Sequence, residues 1–298
     1  MSITRKESLA LIGCALVLPK CGAGGNPIRV GSKNFGEDII VAEIYAAALE
    51  QAGMPVQRHM NLGSTQIATE ALVRGDIDVY PEYTGTGLID VLHLPPMRNA
   101  QQLFVTVRDA YAKRYGLTWL PPSPVNDSQG LAVTQSVAKR FGVRTLSECA
   151  RVATDLRLAA IPEFVTRADA LPGLKKFYGG FAFKDVRTYE IGLQYDALEH
   201  GDADVATAFT TDSQIDTNHL LLLRDDKEFW PPYNIAPVAR PQALRAHREM
   251  ATVLGRISPL LTDSVVRHFN YQFNAQKADP ADIAQKFVKE HHADRRPV

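Results

Sequence analysis

From Ile28 onward the chain alternates short apolar runs with longer segments whose apolar residues recur every three to four positions. That is the pattern of strands and helices taking turns. IRVGSK predicts a strand with Gly31 and Ser32 at its end. EDIIVAEIYAAALEQAG predicts a helix, with Ile40, Ile44, Ala47 and Ala48 recurring at helical spacing and Gly53 stopping it. VQRHMNLG reads as a short strand. STQIATEALVRGD reads as a helix opened by Ser64 or Thr65, with Ile67, Ala71 and Leu72 turned inward. IDVYPEY is a third strand. A helix from about Thr86, a second over AQQLFVTVRDAYAKRYG and a strand LTWLP follow.

Three prolines in four positions then break the rhythm at PPSPVNDSQG, which predicts a hinge or domain crossing. Beyond it the unit restarts. GLAVT, RLAAIP, DVRTYEI, DVATAFT and LLLLRDD predict strands, and SVAKRFG, TLSECARV, LPGLKKFYG and GLQYDALEHGD predict helices. The paired prolines of KEFWPPYN mark a second crossing, followed by a strand IAPVAR and a helical remainder. The expected organisation is two lobes, one from residues 28–125 with 233–298 and the other from 126–232. Repeated strand–helix units with short links argue α/β architecture, each lobe a mostly parallel sheet flanked by helices.

The two halves share a frame. ALVRGDIDVYPEYTGT and ALEHGDADVATAFTTD both read Ala-Leu-x-x-Gly-Asp-x-Asp-Val, a helix, a tight turn and a strand ending in an aromatic residue and threonines. Right-handed crossovers gather strand C-terminal ends on one edge of a sheet, and ligands bind beyond such edges. Two lobes crossed twice place both edges against one cleft, with Tyr83 and Phe209 facing it from opposite sides.

The first 26 residues differ from the rest. MSITRK is short and positive, SLALIGCALVL is apolar, and PKCGAGGNP is a segment of small residues and breakers. That order is expected of a secretory signal peptide, and the apolar run is too short to span a bilayer. LIGC makes Cys14 a candidate lipidation site. The expected location is periplasmic or otherwise extracytoplasmic. Cys149, in LSECARV, is expected to be a buried helix residue.

Composition narrows the function. Lys+Arg and Asp+Glu are 33 each, so the net charge is zero and no basic surplus points to nucleic acid. TGTGL lacks both the Gly-Lys-Ser/Thr ending and the GxGxxG spacing of phosphate loops. The eight histidines are scattered, and nothing builds a catalytic triad or a metal site. The expectation is binding without catalysis and without cofactor or metal. Rings attract quaternary ammonium groups through their faces, and a lysine, an arginine and a helix-start threonine suit a carboxylate. A ligand with both ends is a zwitterion such as a betaine.

VGSKNFGEDIIVAEIYAAALEQAG, NLGSTQIATEALVRGDIDVYPEYTGTGL, EFVTRADALPGLKKFYG, DADVATAFTTDSQI and FWPPYNIAPVAR, in that order, resemble the osmoprotectant-binding proteins of ABC importers, the glycine betaine/carnitine/choline-binding family. The resemblance runs from about Ile28 to the C-terminal helix. It implies a type II periplasmic-binding-protein fold and a monomer that hands its ligand to a membrane permease with a separate ATPase. It also implies that Lys33, Thr86 and Arg167 hold a carboxylate, while Tyr83 and Tyr233 box a methylated ammonium. Two positions depart from the family pattern. Asn-Asp-Thr-Tyr at the first crossing reads NDSQ, which puts Gln129 in place of a ring, and the tyrosine before Thr-Thr-Asp is Phe209. Asp127, which could turn a backbone carbonyl toward the cation, is retained.

Overall fold

The strands, in chain order, are β1 (Ile28–Gly31), β2 (Val56–His59), β3 (Val79–Tyr83), β4 (Thr118–Trp119), β5 (Gln129–Val133), β6 (Arg157–Ala160), β7 (Asp185–Thr188), β8 (Val205–Phe209), β9 (Leu221–Leu222) and β10 (Ile235–Ala239). This is a computed structural model, and it describes residues 26–291. The strands form two sheets with helices on their faces, ordered β2-β1-β3-β10-β4 and β7-β6-β8-β5-β9. The signal-peptide and lipidation expectations, with Cys14, fall almost wholly outside the described residues.

In each sheet four strands share one direction and a single strand opposes them, β10 in the first and β5 in the second. Both are the strands laid down directly after a crossing. The registers explain the reversal. Gln129 opens β5 opposite Phe209, the last residue of β8, and Ile235 opens β10 opposite Tyr83, the last residue of β3. A chain arriving from the other sheet enters at the edge where the parallel strands end, so it can only run back against them.

The two crossings are bonded to each other. Asn126 and Asn234 form an antiparallel bridge. Asp127 N–H donates to Tyr233 O at 3.2 Å, Tyr233 N–H to Asn126 Oδ1 at 2.7 Å, and Asn234 Nδ2 to Val125 O at 3.0 Å.

The helix Gly36–Gln51 is buried all round from Ile40 to Leu49, not along one stripe. It packs on the first sheet and on the C-terminal helices Met250–Ile257, Asp263–Asn274 and Pro280–Glu290. Its run of alanines permits close approach on every side. In the helix Thr65–Arg74 the inward set is Ala68, Ala71 and Leu72, while Ile67 is 49% exposed. Cys149 is fully buried, and burial pushes its thiol up to about 12. Among the described residues no helix is long and apolar enough to cross a membrane.

Candidate ligand-binding site

A cavity of about 350 Å³ lies between the two sheet edges. Lys33, Tyr83, Thr86, Asp127, Gln129, Arg167, Phe209 and Tyr233 all line it. The fold delivers them in pairs: Tyr83 and Phe209 end β3 and β8, the shared frame of the two halves, and Gln129 is the cross-strand neighbour of Phe209. The two departures from the family pattern are therefore adjacent on one sheet edge.

The glycines after Tyr83 are present for room and not for a turn. Neither Gly85 nor Gly87 has positive φ. A Cβ on Gly85 would stand 2.6 Å from the Tyr233 ring, and one on Gly87 would stand 2.8 Å from Trp119. Gly85 lets the Tyr233 ring lie against the helical turn that follows β3. Strand alternation separates the two tyrosines of YPEY: Tyr83 lines the cavity, while Tyr80 is fully buried with its hydroxyl on Thr69 at 3.0 Å and Glu82 at 2.8 Å.

Both cations have carboxylate partners that sequence reading missed. Lys33 Nζ donates to Glu82 Oε1 at 2.7 Å and lies 4.4 Å from the centre of the Tyr83 ring. Arg167 grips Asp169 with two parallel bonds, Nε to Oδ1 at 2.8 Å and Nη2 to Oδ2 at 2.6 Å, and its Nη2 lies 3.5 Å from Thr86 Oγ1. Desolvation opposes the charge of Arg167, and the Asp169 bonds outweigh it, so its pKa is raised. Neither cation is exhausted. A guanidinium has five N–H donors and an ammonium three. Arg167 Nη1 stands 3.9 Å from Asp90 Oδ2 and Lys33 Nζ 3.8 Å from Asp38 Oδ2, ion pairs too long for hydrogen bonds, so donors on both cations and the Thr86 hydroxyl proton remain to offer.

Asp169 also organises the hinge side. It accepts from Tyr233 Oη at 2.5 Å and Gln129 Nε2 at 3.0 Å, and its carbonyl accepts from Trp230 Nε1 at 2.8 Å. Gln129 Nε2 also donates toward Tyr233 Oη at 3.2 Å. With the amide nitrogen so used, the Gln129 carbonyl oxygen is the atom left for a ligand, and it is an acceptor.

The other end of the cavity is acidic. Glu37 Oε1 accepts from Tyr83 Oη at 2.8 Å, and Glu37 Oε2 accepts from Asn270 Nδ2 at 2.7 Å. Thr211 Oγ1 lies between Glu37 and Asp127. Asp212 accepts from the Tyr195 hydroxyl and from Phe209 N–H, and burial pushes it up to about 6. Burial raises Asp127 well above the usual carboxylate range, with Glu37 and Asp212 adding to the effect. Asp212 stands in the TTDSQI stretch and Glu37 opens a predicted helix with an acidic pair, but residue types alone do not reveal that both turn into the cleft.

Two lobes, two bonded crossings and a cavity walled by rings and charged groups define a solute-binding protein. Residues 26–290 match the substrate-binding domain of ABC-type glycine betaine transport systems, and the chain belongs to that family. It is 31% identical over 291 residues to a glycine-betaine-binding protein of Pseudomonas aeruginosa, covering 94% of this chain and 93% of that protein. It is 30% identical over 282 residues to an ergothioneine transport permease/ergothioneine-binding protein of Helicobacter pylori, covering 94% of this chain but only 50% of that protein. A crystal structure of a glycine betaine/carnitine/choline ABC transporter protein superposes with a TM-score of 0.73 at 29% identity, covering 90% of this chain and all of the other. The fold is the type II periplasmic-binding-protein fold expected from the sequence.

Proposed function

We propose that this chain captures a small zwitterion or quaternary amine of the glycine betaine kind in the interlobe cavity. The lobes, divided near residues 126 and 233, close on the ligand and present it to a membrane permease driven by a separate ATPase. Lys33, Thr86 and Arg167 take the anionic end. Tyr83, Tyr233 and Phe209 surround the methylated ammonium, with Gln129 as a polar wall and Asp127 beside it. The chain acts outside the cytoplasm, as a monomer, and binds without turning over its ligand. The observation that carries this reading is that eight residues, drawn from separate parts of the sequence, line one cavity. Its volume of about 350 Å³ suits a small ligand, since small-molecule sites run from about 300 to 1,000 Å³.

A second reading is a betaine that also carries an N–H-bearing group. It is favoured by the Gln129 carbonyl oxygen left free as an acceptor and by Glu163, one of whose carboxylate oxygens is buried at the cavity wall without a partner. The Helicobacter relative is named for ergothioneine, a ligand with such a group. A thermal-shift screen over glycine betaine, carnitine, choline, ergothioneine and amino acids tests both readings, because a cleft ligand raises the melting temperature by mass action. A shift with none of the quaternary amines overturns the function, and a shift with glycine betaine but not ergothioneine removes the second reading.

A further inference from the structure

The acids at the cleft lack one hydrogen that their geometry requires. Thr211 Oγ1 lies 2.6 Å from Glu37 Oε2 and 2.6 Å from Asp127 Oδ1. A threonine hydroxyl has a single hydrogen and can donate to one of them. The other contact is a hydrogen bond only when a carboxyl carries a proton and donates to the hydroxyl oxygen. Glu37 already accepts from Tyr83 and Asn270, one donor on each oxygen, which leaves Asp127 as the carboxyl with room for the proton. Among the described residues the Asp127 side chain has only Thr211 as a bonded neighbour.

Among the described residues no cation is paired with Asp127. Facing Asp127 are Glu37 from the helix Gly36–Gln51 and Asp212 from the turn after β8, with the phenols of Tyr83 and Tyr195 beyond them. From the helix Asp263–Asn274, Asp263 accepts from Asn126 N–H and Arg267 reaches the Thr210 carbonyl. Lys33 is engaged with Glu82, over the Tyr83 ring. Glu37, Asp127 and Asp212 form no ion pair among the described residues, whereas Lys33 and Arg167 do.

We propose that ligand capture is proton-linked: Asp127 holds a proton while the cleft is empty, and a cationic ligand head settling beside Asp127, Thr211 and Glu37 expels it to solvent. The O–H bond of the Asp127 acid breaks, the proton goes to water or buffer, and the carboxylate left behind faces the incoming positive charge. The inference rests on this cavity being the ligand site. Burial beside two further acids holds the proton at an Asp127 pKa well above the usual range. Affinity for a quaternary ammonium then rises with pH, up to about tenfold per pH unit while the empty site is protonated, and levels off above that.

The test is calorimetric titration of the protein with glycine betaine, and separately with choline, at neutral pH in two buffers of different ionisation heat. The expected result is release of about one proton per ligand bound, abolished in Asp127→Asn. Binding whose heat does not depend on the buffer overturns the proposal and leaves the transport reading intact. If neither probe binds, the transport reading fails for them. The stored proton is then read in the ligand-free protein by infrared difference spectroscopy, wild type against Asp127→Asn. A carbonyl stretch of a protonated carboxyl at neutral pH supports it, and the absence of that band overturns it. Should Asp127→Asn not fold, Thr211→Val serves: it removes the bridging hydroxyl, so the pH at which affinity levels off should shift from that of the wild type, and an unchanged pH profile overturns the proposal.

Discussion

Arg29 holds Asp78 by its backbone N–H at 3.0 Å, by Nε at 2.9 Å and by Nη2 at 2.8 Å. In the other sheet Arg157 holds Asp204 by the same three atoms at 2.9, 2.9 and 3.1 Å. Each arginine opens or nearly opens the strand next to a sheet edge, β1 or β6. Each aspartate is the second Asp of the Gly-Asp-x-Asp-Val frame, so one device ties strand to strand in both halves. Desolvation opposes ionisation of both aspartates, and the arginine bonds outweigh it and lower both pKa values. A lowered carboxylate pKa contributes stability above its unfolded-state value, and that contribution is lost as pH falls through the folded one. Asp78→Asn and Asp204→Asn should each destabilise by about 1–2 kcal/mol at neutral pH, the arginines being partly exposed and screened. The deficit should shrink in acid. Urea denaturation at neutral and acid pH checks this, and a deficit that does not vary with pH contradicts it.

Removing Arg167 should harm both binding and folding. Loss of a charge-assisted bond to the ligand's anionic end corresponds to roughly a ten- to hundred-fold weaker affinity. Asp169, 3% exposed, is left as a buried charge without its counter-ion, which costs about 3–5 kcal/mol. Calorimetry and denaturation of Arg167→Ala separate the two effects. Wild-type affinity for the identified ligand sinks the carboxylate assignment, whatever the stability change.

Tyr83 lines the cavity with the Lys33 ammonium over its ring, and it gives its hydroxyl to Glu37. Tyr83→Phe keeps the face and should retain most quaternary ammonium binding. Tyr83→Ala removes it and should weaken binding by about 0.5–2 kcal/mol, or roughly two- to thirty-fold. Equal losses in the two variants would mean that the hydroxyl, and not the ring, matters.

Gln129→Tyr restores a ring where the family pattern has one. Glycine betaine should bind roughly two- to thirty-fold tighter. The ligand-free protein should lose about 1–3 kcal/mol, because Asp169 loses the amide donor. Titration together with a melting curve reads both changes. A normally folded variant with unchanged betaine affinity would show that Gln129 does not stand at the fourth wall.

The strand–helix alternation and the proline-marked crossings were legible because each rests on local pattern: apolar period for β1 or the helix Gly36–Gln51, and proline clusters at the two breaks. The eight residues named from the family motifs, and from the two positions that depart from them, line one cavity. The partners were not legible. Glu82 lies 49 positions from Lys33, and Thr211 lies 174 from Glu37; no periodicity or spacing reports a pairing made only by the fold. Ile67 was misplaced for a related reason: apolar residues at helical spacing define a face, but Ala68 and not Ile67 lies on the buried side.

The bonds between Asn126–Asp127 and Tyr233–Asn234 bear on how one half of the cavity finds the other. A single covalent crossing would act as a swivel and leave the second lobe free to rotate about the connecting segment. Two strands laced side by side remove that torsional freedom and leave bending about one axis. The search for the closed arrangement thereby shrinks from many orientations to a single angle. Each half-site then meets the other at an effective concentration set by the ribbon and not by diffusion. Under the proposed closure, the ligand's binding energy need not select an orientation; it has only to hold an angle.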